Sequence, residues 1–211
     1  MNEILLLAFI FPGRVHPCGC QMEDIATHLA RYFTQSPWYY LSWPAVAMVV
    51  GALIGMVSKQ DAEQLAVVPR TSRGLVGLVT APFVHASFAH LMANLPPFLV
   101  LGVLVLNRVD GRFPLVALAI MLASGLLLWA FGRKAAHVGM SGVIFGFFGW
   151  LLAVAWFARA TPDLLVAGGV LIFYGGMLAG LAPVRDGTSW EGHLFGLIAG
   201  LGTAWVQFRL I

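Results

Sequence analysis

One short stretch, His137-Val138-Gly139-Met140-Ser141-Gly142-Val143-Ile144-Phe145-Gly146, holds the residue best suited to covalent chemistry. Ser141 follows Gly139 by two positions and directly precedes Gly142, at the mouth of a long apolar run. A serine hydroxyl is a weak nucleophile until a neighbouring base takes its proton. His193, in a second apolar run, is the candidate base. Every acidic residue lies outside the apolar runs, and Glu191, two positions from His193, would face elsewhere on a helix. The residue types therefore point to a Ser–His dyad rather than a triad. A tetrahedral intermediate also needs donors for its oxyanion. The Ser141 backbone N–H, at a helix start, is unpaired and sits at the positive end of the helix dipole. His90 and Asn94 lie one turn apart on one face of a third apolar run, and both carry side-chain donors. Hydrolysis would further require a polar cavity reached by water.

Each residue also has a plainer role. Ser141 alone could cap the helix that follows it. His193 could be a polar residue satisfied by a neighbouring helix. His85, His90 and Asn94 could join helices through hydrogen bonds, or form a metal or proton site with His137. A transporter or metal-handling protein built on His85, His90, His137 and His193 is thus a second reading, although four histidines without carboxylates in the spans make a poor ion relay. His85 is read as structural. His16, Cys18 and Cys20 offer three metal donors with no evident fourth, and the one-residue gap between the cysteines suits a disulfide poorly.

The elements that must carry these residues are membrane helices. The chain has 211 residues, 60% hydrophobic and 10% charged, with a net charge of +3. A soluble domain would carry about a quarter charged residues. Mean hydropathy is +0.87. One multi-pass membrane bundle follows, and scattered basic residues give no support for nucleic-acid binding. A bilayer core takes about 20 helical residues. On that measure six spans are predicted, over residues 39–57, 84–106, 113–131, 141–158, 164–182 and 192–208. Residues 1–37 form an amino-terminal tail, with 22–34 read as an interfacial helix, and residues 38–211 form the membrane domain. Residues 58–84 read as a long loop partly embedded in the interface. Pro96 and Pro97 should kink the second span. Polar groups inside spans are costly, and their default reading is functional. Six spans bring His85, His90, Ser141 and His193 to the membrane face opposite the termini, while basic residues divide evenly between the two sides and leave orientation open. Gly142, Gly146 and Gly149 share one face of the fourth span, and His193, Gly196 and Gly200 share one face of the sixth. Small residues let two membrane helices approach closely, which would bring Ser141 and His193 to one depth.

These motifs resemble the rhomboid family of intramembrane serine proteases. The likeness covers roughly residues 40–208. It rests on His85-x4-His90-x3-Asn94, Gly139-x-Ser141-Gly142 and His193-x2-Gly196-x3-Gly200, in that order. It implies an all-α, six-helix rhomboid-like bundle. Ser141 would be the nucleophile, His193 the base, and His90 and Asn94 oxyanion donors beside the Ser141 amide. Gly139, Gly142, Phe145, Gly196 and Gly200 would support them. Substrates would be membrane proteins cut in or near a transmembrane helix, with the lipid bilayer as surroundings, no cofactor and no metal. The first loop would be the family's interfacial hairpin, and the fifth helix with the loop above it the substrate gate. The resemblance also implies a plasma (inner) membrane location with cytoplasmic termini and an outward-facing site. Three positions depart from the family pattern. Gly77-Leu78 stands where many members have an aromatic–Arg pair, Phe145 where many have Tyr, and Ala81 where many have a further histidine. None removes a group that a dyad requires, so an active protease is expected rather than an inactive client-binding relative.

Overall fold

The computed structural model describes residues 38–109, 111–183 and 189–210. The expected tail, its interfacial helix and the His16, Cys18 and Cys20 donors lie outside the described residues. The described chain is all-α: α1 Tyr39–Val57, α2 Lys59–Gln64, α3 Gly77–Thr80, α4 Phe88–Leu106, α5 Phe113–Phe131, α6 Ser141–Ala158, α7 Thr161–Tyr174 and α8 Trp190–Leu210. Three 3-10 turns, Arg73–Leu75, Ala81–Phe83 and Gly175–Leu181, fill the connections.

Long apolar runs form helices because lipid offers no partner for backbone polar groups, and a helix satisfies them internally. Among the described residues, five segments are long and apolar enough to cross a bilayer: α1, α4, α5, α6 and Thr161–Leu181. The sixth expected span, α8, has the length at 21 residues, but Glu191, His193, Gln207 and Arg209 dilute its apolar character.

Three predicted bounds need correction. The second span starts at Phe88 rather than 84, because Val84 and Ser87 are extended and the Ser87 hydroxyl caps the helix by accepting from the His90 N–H at 3.1 Å. The fifth span is an α-helix only over Thr161–Tyr174 and continues as 3-10 turn to Leu181. The sixth runs Trp190–Leu210 rather than 192–208. The expected loop over 58–84 is instead a chain of short helices. Its Ala66, Val67, Gly77 and Leu78 are buried, and Leu75, Val76 and Val79 are exposed.

The most buried helix is α6, with 67% of its residues inside the bundle against 11% for Thr161–Leu181. Its glycines explain this. A methyl group on Gly146 would strike Ile120 of α5, one on Gly196 would strike the Gly142 carbonyl, and one on Gly200 the Gly146 carbonyl. The two small-residue faces predicted for α6 and α8 therefore meet backbone to backbone, as close membrane packing requires. On the other side of the bundle, a methyl on Gly55 of α1 would strike the His85 carbonyl, so α1 braces the segment that leads into α4. Pro96 and Pro97 both lie inside α4 and leave the Met92 and Ala93 carbonyls without their helical donors.

Candidate active site

Ser141 is the first residue of α6, and Met140 holds the cap position without a side-chain hydrogen bond. Ser141 therefore lies inside the helix rather than at the cap position that sequence alone allowed for it. The turn before it is fixed by backbone bonds to the short-helix connection. Val67 and His137 form an antiparallel bridge, with N···O distances of 3.0 and 2.9 Å, and the Gly139 N–H donates to the Ala81 carbonyl at 2.8 Å. Gly139 has φ +114°, a region open to glycine, and a methyl there would lie 2.8 Å from the His90 Nε2. The glycine thus serves twice: it turns the chain into α6, and it admits the His90 ring against the backbone beside Ser141.

His193 is held on two sides. Its ring stacks on Phe145 with centroids 4.3 Å apart and planes 8° apart. Its Nδ1 lies 2.9 Å from the Gly180 carbonyl. A carbonyl only accepts, so Nδ1 carries the proton and the lone pair of the neutral ring is on Nε2. The group that the His193 Nδ1 meets here is thus a backbone carbonyl and not a carboxylate. Glu191 is turned away, with Oε1 3.7 Å from the Arg133 Nε.

His90, Asn94, Ser141, Phe145 and His193 all line one cavity of about 630 Å³. Asn94 is buried and its amide donates to the His90 carbonyl at 2.8 Å, which uses one of its two hydrogens and leaves the other. His85 is fully buried behind this wall. Its ring meets His90 edge to face at 5.0 Å, and its Nδ1 is 3.2 Å from the Phe83 carbonyl. Burial, followed by the nearness of His90, pushes the His85 pKa down from 6.5 to about 4, so the ring is neutral near pH 7. Among the described residues no three His, Cys, Asp or Glu side chains are grouped to hold a metal ion.

Sequence reasoning missed four contributors. Gly180 gives the carbonyl on His193, and Ser189 bonds the His137 ring. Arg70 and Trp129 tie the short-helix connection to the end of α5. The Arg70 guanidinium donates to the Ala130 and Gly132 carbonyls, and the Trp129 indole to the Thr71 carbonyl. This clasp stands in a chain that has Gly77-Leu78 in place of the family's aromatic–Arg pair. None of the four sits in a spacing pattern, because each acts across the fold from a connection.

A family profile described as Rhomboid domain matches residues 72–210. An uncharacterized protein of Mycobacterium tuberculosis is 37% identical over 163 residues, 73% of this chain and 68% of its own length. A putative rhomboid protein of Acanthamoeba polyphaga mimivirus is 32% identical over 135 residues, 62% of this chain and 74% of its own length. A chloroplastic rhomboid-like protein of Arabidopsis thaliana is 30% identical over 143 residues, 61% of this chain and 51% of its own length. The profile begins within the short-helix connection, at Ser72, and covers every helix from α3 to α8, including the turns that carry Ser141 and His193. With its bilayer-length apolar helices, the chain is an integral membrane protein and belongs to the rhomboid family.

Proposed function

We propose that this protein is an intramembrane serine endopeptidase that hydrolyses peptide bonds in or near the transmembrane segments of other membrane proteins. One observation carries the reading. The His193 ring, with Nδ1 tied to a carbonyl and its face on Phe145, lines the same cavity as Ser141, His90 and Asn94.

In this mechanism His193 Nε2 takes the Ser141 hydroxyl proton as the oxygen attacks the scissile carbonyl. The oxyanion is met by the Ser141 N–H at the start of α6 and by side-chain donors of His90 and Asn94. The imidazolium then protonates the leaving amine, and the acyl-enzyme forms. A water molecule, deprotonated by His193, releases the second product. Gly139, Gly142, Phe145, Gly196 and Gly200 support the geometry through the turn, the stack and the helix approach described above. No cofactor enters the scheme. The membrane would be the plasma (inner) membrane, with both termini cytoplasmic and the site facing outward, and the substrate would enter from the bilayer.

The test is cleavage in proteoliposomes. Wild type, Ser141→Ala and His193→Ala are each incubated with a generic single-span substrate, and products are mapped by mass spectrometry. The expected result is one main cut in or beside the span, made by the wild type alone. Cleavage that survives Ser141→Ala would overturn the proposal. A folded wild type that binds the substrate and never cuts it would favour an inactive client-binding rhomboid relative.

A further inference from the structure

His137 precedes Ser141 by four residues, and Ser189 precedes His193 by four. These two residues meet, with the His137 Nδ1 2.7 Å from the Ser189 Oγ. We propose that this bond is a latch that fixes Ser141 against His193, which makes His137 and Ser189 positioning residues for the hydrolysis proposed above, on which the inference rests.

The direction of the bond follows from its neighbours. The His137 Nε2 lies 3.1 Å from the Arg133 carbonyl, so Nε2 carries the proton and Nδ1 accepts from the Ser189 hydroxyl. His137 is buried, and that burial lowers its pKa and keeps the ring neutral; the Arg133 carbonyl and Glu191 pull the other way, and the Arg133 charge acts with burial. The Ser189 oxygen also accepts from the Gly192 N–H at 3.3 Å, and the Ser189 carbonyl accepts from the His193 N–H at 3.2 Å. Ser189 therefore caps α8 at the turn that bears His193.

The latch joins the stretch that leads into α6 to the residue that precedes α8. Residues 132–140 reach Ser141 without a helix, held by the Val67 bridge, the Gly139 bond to Ala81 and the His137 ring. Only the last of these three reaches α8. The glycine contacts between α6 and α8 set how close the helices lie, and nine residues along α6 from Ser141 the Trp150 indole donates to the Gln207 Oε1 of α8 at 3.2 Å. The His137–Ser189 bond adds a directional contact at the mouth itself, beside the two reacting side chains. Beside it, the Arg133–Glu191 pair joins the stretch before α6 to the first turn of α8 at 3.7 Å. Side chains that position reacting groups commonly act through such supports, and a displacement of about 1 Å can cost about a hundredfold in rate.

The experiment measures steady-state cleavage in proteoliposomes for wild type, Ser189→Ala, His137→Leu and the double variant, with Ser189→Thr and His137→Asn as conservative partners. Thr keeps the hydroxyl, and Asn keeps an acceptor near the Nδ1 position. The latch predicts that each single deletion lowers kcat roughly 10–100-fold while KM stays within about twofold. It predicts that the double variant is no slower than the worse single one, and that Thr and Asn recover most of the rate. Thermal melts of the same samples separate positioning from folding, since the deletions should melt close to wild type. The latch is overturned if the single variants keep kcat, if the losses multiply, or if kcat falls only with the melting temperature and neither conservative variant recovers it. An inert wild type would remove the hydrolase reading and the latch together, whereas an active wild type with indifferent variants would remove the latch alone.

Discussion

Phe145 and His193 lie face to face, with ring centroids 4.3 Å apart and planes inclined by 8°. Phe145 comes from α6, one turn after Ser141, and His193 from α8, so the stack couples the two helices at the level of the site. An aromatic pair of this kind contributes about 0.5–1.5 kcal/mol beyond its buried area. Phe145→Leu should therefore lower kcat roughly 2–10-fold with little change in KM, and Phe145→Tyr should keep the stack and stay close to wild type. Steady-state cleavage of one substrate by the three proteins decides the matter.

Two glycines of α8 should respond oppositely to the same change. A methyl on Gly200 would strike the Gly146 carbonyl, whereas nothing lies within 4 Å of one on Gly202. Gly200→Ala should cost about 1–3 kcal/mol through overpacking. Gly202→Ala should be neutral or stabilising by up to about 1 kcal/mol, because alanine favours the helix. Thermal midpoints in one detergent give both values.

At the other end of the bundle, Arg108 pairs with Asp163 in the first turn of α7. The carboxylate is 3% exposed and the arginine 37%, so water reaches one partner only. Arg108→Ala strands a buried charge, and after discounting for that solvent access should cost about 1–3 kcal/mol. Asp163→Asn in the Arg108→Ala background should regain part of the loss. A double-variant cycle on melting temperature checks the coupling.

Stability should fall in mild acid because of His85. Its folded pKa, about 4, lies below the unfolded value of 6.5, so the unfolded chain takes up its proton first as pH drops. The stabilising contribution is full above 6.5, shrinks as pH falls from 6.5 towards 4, and is gone below that range. His85→Gln should flatten this part of the profile. Melting temperatures of both proteins between pH 4 and 8 test it, and equal slopes would contradict it.

The fold was legible where apolar runs end in polar turns. The bounds of α1, α5 and α6 coincide with the predicted 39–57, 113–131 and 141–158. The small-residue faces of α6 and α8 were readable because helical period converts spacing directly into a face. The start of α4 was not, because Val84 and His85 are as apolar or buried as the helix itself, and only the Ser87 cap marks the boundary. The 3-10 tail over Gly175–Leu181 was hidden for a related reason: its composition suits a span, while its glycines loosen the helix. Within the candidate site, Ser141, His90, Asn94 and His193 stood out by type and spacing. Gly180, Ser189, Arg70 and Trp129 act through single hydrogen bonds from connections, and no periodicity announces such bonds.

The most direct measurement is covalent labelling of Ser141. The purified protein is treated in detergent with a serine-directed fluorophosphonate, and the adduct is located by peptide mass spectrometry in wild type, Ser141→Ala and His193→Ala. The account predicts one adduct, on Ser141, in the wild type alone, because only a hydroxyl activated by His193 reacts. A folded wild type that stays unlabelled, or labelling of Ser141 that persists undiminished in His193→Ala, would contradict it.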